Sequence, residues 1–394
     1  MDNTKQLNIE YFSLQSLFWM TYCMVVGFSV TYLLSCGYSN REAGYILASA
    51  NICALILQPF FADLADRSKK INAMTIFLVS IVIIFVCSIG LFFISVRSVI
   101  LTLNYVVMIT LANAVIAFLT SVQFLMDPSK SKINFGLCRA GGSLCFAILS
   151  AAMGILIERI GMKSIPTALF IITVLIILLC IYITRHRIQT TLDTTNSLTN
   201  NKSSSLLVFF KENPKFIVLS IAMLFIYYAH AFITNFTISI VRNVGGDNRE
   251  MGYLIAFMAL MELPGMIGFK KISQRFKVSS LLLFSMIMFS VKAIIVWLSP
   301  SLITLAFGFA LQFVSFALYI PASVQYANII IDEKDTVKAQ MMFNLMQVGG
   351  AVFSSIIGGW LIDFSGISHA LLVGAILSCI GTMIAFTAIQ KTKG

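Results

Sequence analysis

Charge is what this sequence has least of. Asp, Glu, Lys and Arg make up 11% of its 394 residues, less than half the share carried by an ordinary soluble domain. That shortage excludes a soluble globular fold, and no stretch leaves room for a soluble domain alongside. The eight cysteines contain no CxxC pair and lie inside or at the edge of apolar runs, so they read as small core residues rather than disulfide partners or metal ligands. HExxH, GxSxG and GxxxxGK[ST] are missing too, and with them the marks of a zinc hydrolase, a serine hydrolase and a nucleotide-driven pump. Neither enzyme chemistry, a cofactor nor a metal is expected.

Apolar length is abundant. The chain is 59% hydrophobic, with 33 Phe and 19 Met. Runs of about 20 apolar residues, enough to cross a ~30 Å hydrocarbon layer as helix, recur from end to end. Twelve are expected: 9–35, 42–62, 72–95, 99–127, 134–157, 164–184, 215–241, 250–270, 277–298, 301–331, 338–361 and 367–390. Lipid satisfies no backbone polar group, so the predicted fold is an all-α membrane protein. The first run is too long for a signal-peptide core and lacks a cleavage pattern, so it is expected to stay attached.

The net charge of +11 raises the question of a nucleic-acid partner, but its distribution gives another answer. With the N-terminus inside, the basic residues crowd onto the cytoplasmic segments, among them Lys5, Arg67, Lys69, Lys70, Lys130, Lys132, Arg185, Arg187, Lys202, Lys270, Lys271, Lys334, Lys338, Lys391 and Lys393. The outer segments hold Arg41, Arg97, Arg159, Lys163, Arg242 and Arg249. This is the positive-inside bias, and it places both termini in the cytoplasm beside anionic lipid.

The one long hydrophilic stretch is RHRIQTTLDTTNSLTNNKSSS, Arg185 to Ser205, a flexible linker by composition. Six spans lie on either side, giving an N-terminal bundle at 1–184, a linker at 185–214 and a C-terminal bundle at 215–394. The halves echo one another. GYILA at Gly44 and GYLIA at Gly252 stand 208 residues apart, as do the Gly-Gly pairs at Gly141 and Gly349, while SVQF at Ser121 answers SVQY at Ser323. The expected architecture is two pseudo-symmetric six-helix bundles with a wet binding site between the repeats near mid-membrane.

At ADLADRSKK, Ala62 to Lys70, the chain resembles the loop signature G-x-L-x-D-R-x-G-R-R of the major facilitator superfamily; Leu64, Asp66, Arg67, Lys69 and Lys70 match, whereas Ala62 and Ser68 replace glycines. NFGLCRAGGS, Asn134 to Ser143, is similar to the fifth-helix motif F-G-x-x-R-x-x-G-S of the lactose-permease-like branch, the oligosaccharide:proton symporters. The resemblance extends through GYLIAF, Lys292 and IPASVQYAN and covers essentially the whole chain. It implies alternating access, a conformational-switch loop at Asp66 and Arg67, and a sugar contact at Arg139. Departures are equally plain. The fourth-helix glutamate of lactose permease is best matched by Gln123, and its tenth-helix histidine and glutamate fall on Gln312 and Ser315. Its eighth-helix glutamate aligns with Ala259, one turn before Glu262, and its eleventh-helix lysine falls near Gly350.

Four ionisable side chains lie well inside expected spans: Arg139, His230, Glu262 and Lys292. A charge at the bilayer centre costs roughly 2.5–3.5 kcal/mol on insertion scales and usually faces a wet pathway. Glu262, in AFMALMELPGMIGF, lies about 18 Å along its helix from Glu250. Pro264 would release the carbonyl of Leu260, and a bend beside a wet cavity is expected there. Glu262 is the expected proton carrier; a permanent salt bridge with Lys292 is the structural alternative. His230 is a second coupling candidate or a packing histidine. Arg139 and Lys292 are expected to bind substrate or to snorkel toward headgroups. Gln123, Asn235, Gln312 and Asn344 are expected substrate contacts, with interhelical hydrogen bonding as the plainer role. Trp19, Tyr22, Tyr227, Tyr228 and Phe236 are candidates for stacking on a sugar ring.

The function expected from these residues and the resemblance is secondary active transport of a small hydrophilic solute, a sugar or glycoside, by proton symport across the cytoplasmic membrane. Proton-antiport efflux of sugars or drugs remains open, since the E-L-P string resembles sugar-efflux carriers, and so does nucleoside:proton symport. The expected partners are the solute, protons and the bilayer, with no nucleic acid, and the expected state is a monomer.

Overall fold

The computed structural model describes all residues except 1–2, 68–70, 128–131, 189–205, 333–334, 391 and 393–394, together with the side chains of residues 3, 66–67, 188 and 206–207. The middle of the expected linker and the basic residues Lys69, Lys70, Lys130, Lys202, Lys334, Lys391 and Lys393 therefore lie outside the described residues. Every regular element among the described residues is helical. Among the described residues, ten helices are long and apolar enough to cross a membrane, and two bent pairs, each taken as one span, bring the number to twelve.

In chain order they are α1 (Thr4–Gly27 with Ser29–Ser35), α2 (Asn40–Arg67), α3 (Ala73–Phe93), α4 (Val99–Ala114 with Ile116–Met126), α5 (Phe135–Ile160) and α6 (Ser164–Arg187). Then follow α7 (Pro214–Asn235), α8 (Asn248–Ser273), α9 (Val278–Leu298), α10 (Leu302–Ile330), α11 (Thr336–Ser365) and α12 (Ile367–Ala388). The chain divides into two compact units, Met1–Ser197 and Leu198–Gly394.

Each unit repeats one packing scheme. In the first, α1 packs on α5 and α6, α2 on α4, and α3 on α6; in the second, α7 packs on α11 and α12, α8 on α10, and α9 on α12. The 208-residue offset acquires structural content at several positions. Ser39 and Glu42 form a capping box at the start of α2, with Glu42 N–H donating to Ser39 Oγ (3.2 Å) and Ser39 N–H to Glu42 Oε2 (3.0 Å). Asp247 and Glu250 do the same for α8. Both boxes satisfy donors that a helix start leaves bare.

The first helix of each unit breaks at the same repeat position. Phe28 and Phe236 both have φ −104°, and both are fully buried. The next residue in each case carries a hydroxyl that donates to a carbonyl of the preceding turn: Ser29 to Val26 (2.7 Å) and Thr237 to Ile233 (2.8 Å). Such bonds occupy carbonyls that a helix break leaves without their i+4 donors.

The paired glycines have a common purpose. A Cβ on Gly141 would enter the Phe12 ring of α1, and one on Gly142 would meet Trp19. In the second unit, a Cβ on Gly350 would stand 2.7 Å from the Leu224 carbonyl oxygen and 3.0 Å from Tyr228 N. Absence of a side chain is what lets α5 close on α1 and α11 on α7.

The α4–α5 and α10–α11 connections also correspond. Asp127 and Asp335, again 208 apart, are each 2% exposed. Asp127 Oδ2 accepts from the backbone N–H of Lys132 (2.7 Å) and Ile133 (3.1 Å), and Asp335 pairs with Lys338 Nζ at 2.7 Å. A bidentate ion pair joins the ends of α1 and α6: Arg187 Nε and Nη2 each donate to a Glu10 carboxylate oxygen at 2.9 Å.

One expectation about backbone shape moves to a different helix. α8 stays helical through Pro264, an exposed residue. The irregular segment lies opposite, in α10, where Leu311–Phe313 tightens to a 3₁₀ turn before Phe316–Ile330 resumes. The two features meet at Gly265, where a Cβ would lie 2.7 Å from the Phe313 carbonyl oxygen. The close approach of α10 at a residue with no side chain places the distortion there rather than in α8.

Candidate functional site

The second unit holds a chain of polar contacts across α9, α10 and α8. Lys292 is 1% exposed, so it does not snorkel. Its Nζ donates to Gln312 Oε1 at 2.6 Å and lies 3.8 Å from Met258 Sδ and 5.7 Å from the centre of the Phe309 ring. Gln312, also 1% exposed, turns its amide nitrogen to Glu262 Oε1 at 2.9 Å. Glu262 itself is half-buried. A buried cation thus reaches a more accessible carboxylate through one neutral amide. Gln312 occupies the 3₁₀ turn of α10, so the irregular backbone is what presents the amide between the two charges.

The amide is oriented by its neighbours. An ammonium can only donate, so it selects the Gln312 carbonyl oxygen, which leaves the NH₂ for the carboxylate. The arrangement is satisfied when Glu262 is ionised. Protonation would remove the charge that draws the amide and leave Lys292 as an uncompensated cation, a costly state in a dry environment.

His230 lies in an aromatic cage. Its ring stacks on Phe316 (centroids 5.0 Å, interplanar angle 16°) and meets Tyr227 and Phe289 edge-on, both at 5.2 Å. It is 8% exposed, and its Nδ1 makes no hydrogen bond among the described residues. Of the other expected contacts in this unit, Asn235 donates to Ser355 Oγ at 3.2 Å and Asn344 is exposed.

The first unit assembles a different surface. The Arg139 guanidinium lies 3.9 Å from the centre of the Trp19 ring, and its Nη1 donates to Ser143 Oγ at 2.9 Å. Trp19 Nε1 donates to Gln15 Oε1 (3.1 Å), Gln15 Nε2 to Tyr11 OH (2.8 Å), and Tyr11 OH to the Leu119 carbonyl of α4 (3.3 Å). One turn above, Tyr22 OH donates to Asn113 Oδ1 (3.0 Å), Asn113 Nδ2 to Asn51 Oδ1 (2.9 Å), and Gln58 Nε2 to the Asn113 carbonyl (3.3 Å). These last contacts surround the 43° bend of α4. Gln123 is buried near the end of α4. Asp66 and Arg67 end α2, and their side chains lie outside the described residues.

Several participants escaped the sequence reading. Gln15 belongs to a stripe of Tyr11, Gln15 and Trp19 at four-residue spacing on one face of α1, a pattern that was available to find it. Asp127 and Asp335 could have been found from the repeat offset. The link from Lys292 through Gln312 to Glu262 depends on three helices meeting and leaves no local trace.

An internally duplicated membrane chain whose described regular elements are all helical, matching transporter relatives along its length, is a transporter of the major facilitator type, not an enzyme. The chain belongs to the MFS_1 like family, which it matches over residues 7–373. A maltose permease of Geobacillus stearothermophilus is 22% identical over 356 residues, covering 90% of this chain and 87% of that relative. Among solved structures, the nucleoside transporter NupG superposes with a TM-score of 0.78 at 13% identity, covering 98% of each chain. A bacterial homologue of the human lysosomal transporter Spinster, inward-facing and unoccupied, gives 0.71 at 14% identity over 98% of this chain and 97% of that one. The structural likenesses speak for the fold alone.

Proposed function

We propose that this transporter carries a small hydroxylated solute, a sugar or glycoside, together with protons across the cytoplasmic membrane by alternating access. The observation that carries the coupling is the Lys292–Gln312–Glu262 chain. Glu262 is its one carboxylate and its most accessible member. With Glu262 ionised, the chain is satisfied and the carboxylate is held by Gln312. With Glu262 protonated, the amide loses its charged acceptor and the link between α8 and α10 weakens at this point. A proton taken up on one side and given up on the other would thereby bias which arrangement the helices prefer. His230, whose Nδ1 makes no hydrogen bond among the described residues, stays the second coupling candidate.

Substrate recognition falls to the first unit, where Arg139, Gln123 and the amides of Asn51 and Asn113 offer donors and acceptors suited to hydroxyls. Lys292, Gln312, Asn235 and Asn344 complete the set of polar contacts in the second. A sugar is favoured by the maltose permease relative, since it spans nearly the whole chain. The distribution of basic residues supports a cytoplasmic position for both termini, and a monomer is the working unit proposed.

The test is Glu262→Gln in proteoliposomes. Counterflow exchange of labelled maltose should persist, while accumulation driven by a pH gradient should disappear. Retention of full gradient-driven accumulation would remove Glu262 from the coupling.

A further inference from the structure

Two spans of this protein break part-way along, and each break holds a side-chain amide. In α10 the break is Leu311–Phe313, where Gln312 stands between Lys292 and Glu262. In α4 it falls at Val115, where the helix turns by 43°. The SVQF and SVQY strings align these two helices, and at their offset Gln312 corresponds to Thr110, one turn before Asn113.

Asn113 is a junction. Its Oδ1 accepts from Tyr22 OH of α1 at 3.0 Å, and its Nδ2 donates to Asn51 Oδ1 of α2 at 2.9 Å. Its backbone carbonyl, in the last turn before the break, accepts from Gln58 Nε2 of α2 at 3.3 Å. Thr110 adds a further tie to α2, its Oγ1 donating to the Ala50 carbonyl at 3.2 Å. A helix broken at membrane depth needs its neighbours to satisfy the backbone groups that the break frees. Gln58 does so here, and the bonds of Asn113 fix the direction in which α4 leaves the bend.

The two clasps differ in their chemistry. The α10 amide lies between a cation and a carboxylate, whereas the α4 amide lies between a hydroxyl and a second amide. Gaining a proton at a carboxylate changes the first and leaves the second as it was. Charges stand well away from the α4 clasp. α3 and α4 carry none, and on α2 Glu42 and Asp63 lie about 13 and 18 Å along the helix from Asn51. Glu10 lies as far from Tyr22 along α1, and Asp127 and the basic residues Arg185 to Arg187 stand at the ends of α4 and α6. The thiols next to the clasp in sequence are Cys23, bonded to Ser150 Oγ, and Cys53, which is exposed. Around Glu262, by contrast, α9 supplies Lys292, the turn after α7 carries Arg242, and α10 has no charge.

We propose that Asn113 is a positioning residue for transport, holding the α4 bend through Tyr22, Asn51 and Gln58 at every pH. The two units then share one hinge design, charged in α10 and neutral in α4, and only the second answers to protons. The contrast rests on the coupling read for Glu262 above. Each amide has a second N–H and a second lone pair, so holding the bend and meeting solute hydroxyls are compatible.

The experiment uses the full-length transporter in lipid nanodiscs, with spin labels on ketone-bearing amino acids so that the native cysteines stay in place. One label pair replaces Leu103 and Ser121, exposed residues on either side of the α4 break; another replaces Ile303 and Val324 of α10. Distance distributions are read at about pH 4 and about pH 8, a span that includes ordinary carboxylate titration. In the parent, the α10 distribution should shift with pH, the ratio of its populations changing about tenfold, as losing a bond to a charged group implies. The α4 distribution should stay the same. Asn113→Leu should broaden the α4 distribution equally at both pH values and leave α10 alone. Asn51→Leu should act likewise, and the double variant no more than either, because one clasp is lost once. Asn51→Asp gives α4 the carboxylate that α10 has, and should make its distribution depend on pH. If Asn113→Leu does not fold, Asn51→Leu carries the test, since the bonds from Tyr22 and Gln58 remain. An α4 distribution unchanged by loss of the amides, shifting with pH in the parent, or indifferent to pH in Asn51→Asp, overturns the neutral hinge and leaves Glu262 in place. An α10 distribution indifferent to pH in the parent removes Glu262 from the coupling and overturns the contrast between the hinges, while broadening of α4 in Asn113→Leu would still support the role of Asn113.

Discussion

Replacing Lys292 by Met tests the energetics of the charged chain. The side chains have similar length, so the change removes the charge with little change in packing. Lys292 is 1% exposed and its ammonium rests on Gln312 Oε1 at 2.6 Å, so water does not take over when the contact is lost. Removing one member of a buried pair costs about 3–5 kcal/mol, mostly because the remaining charge is stranded. Here the remaining charge is Glu262, which is half-buried and can recover part of its hydration. The expected loss is therefore about 3 kcal/mol, at the low end of that range. Glu262→Gln in the Lys292→Met background removes the stranded charge and should return stability to within about 1 kcal/mol of the parent, so the coupling between residues on α8 and α9 is about 2 kcal/mol plus whatever Glu262→Gln costs alone. The assay is a double-mutant cycle by chemical denaturation of the purified transporter in detergent. Additivity within about 0.5 kcal/mol, or a Lys292→Met variant as stable as the parent, would refute the idea that Gln312 connects the two charges.

Two further outcomes follow from the fold. Gly350→Ala would force a Cβ to within 2.7 Å of the Leu224 carbonyl oxygen and 3.0 Å of Tyr228 N, backbone atoms that cannot swing aside. The overpacking should lower stability by about 1–3 kcal/mol in thermal unfolding; an unchanged transition would contradict the close approach of α7 and α11. Arg187→Ala should cost about 1.5–3 kcal/mol by breaking both bonds to Glu10. Arg187→Lys should recover less than half of it, since an ammonium cannot reproduce the planar two-bond contact. Equal stability of the alanine and lysine variants would show that the fork geometry is irrelevant.

The helices were legible because lipid imposes a length and a composition that water does not. All twelve expected spans correspond to described helices, and the caps at their ends follow from Ser, Asn and Asp at span borders, as at Asn72, Ser98 and Asp247. The duplication was legible in GYILA and GYLIA, although its reach was not: the capping boxes and the breaks at Phe28 and Phe236 became visible only when each had a structural role. Pro264 pointed to irregular backbone in α8, where the helix runs on unbroken. Proline costs α8 a hydrogen bond, but the distortion settled in α10, where Phe313 presses on Gly265. The candidate site was legible residue by residue and illegible as an arrangement. Glu262 and Lys292 stand out in any hydropathy profile, whereas Gln312 between them looks like any other amide. Trp19 was one candidate among 33 Phe, 12 Tyr and 3 Trp, marked locally only by the stripe it shares with Tyr11 and Gln15.

The most direct measurement is the steady-state concentration ratio of labelled maltose across proteoliposomes under an imposed pH gradient. With Glu262 as the single coupling carboxylate, a gradient of one pH unit, acidic on the side of entry, should sustain accumulation of about tenfold, since each unit is worth about 1.4 kcal/mol. A protonophore should abolish it. A ratio that stays at one whatever the gradient, with maltose still crossing, would contradict proton-coupled transport.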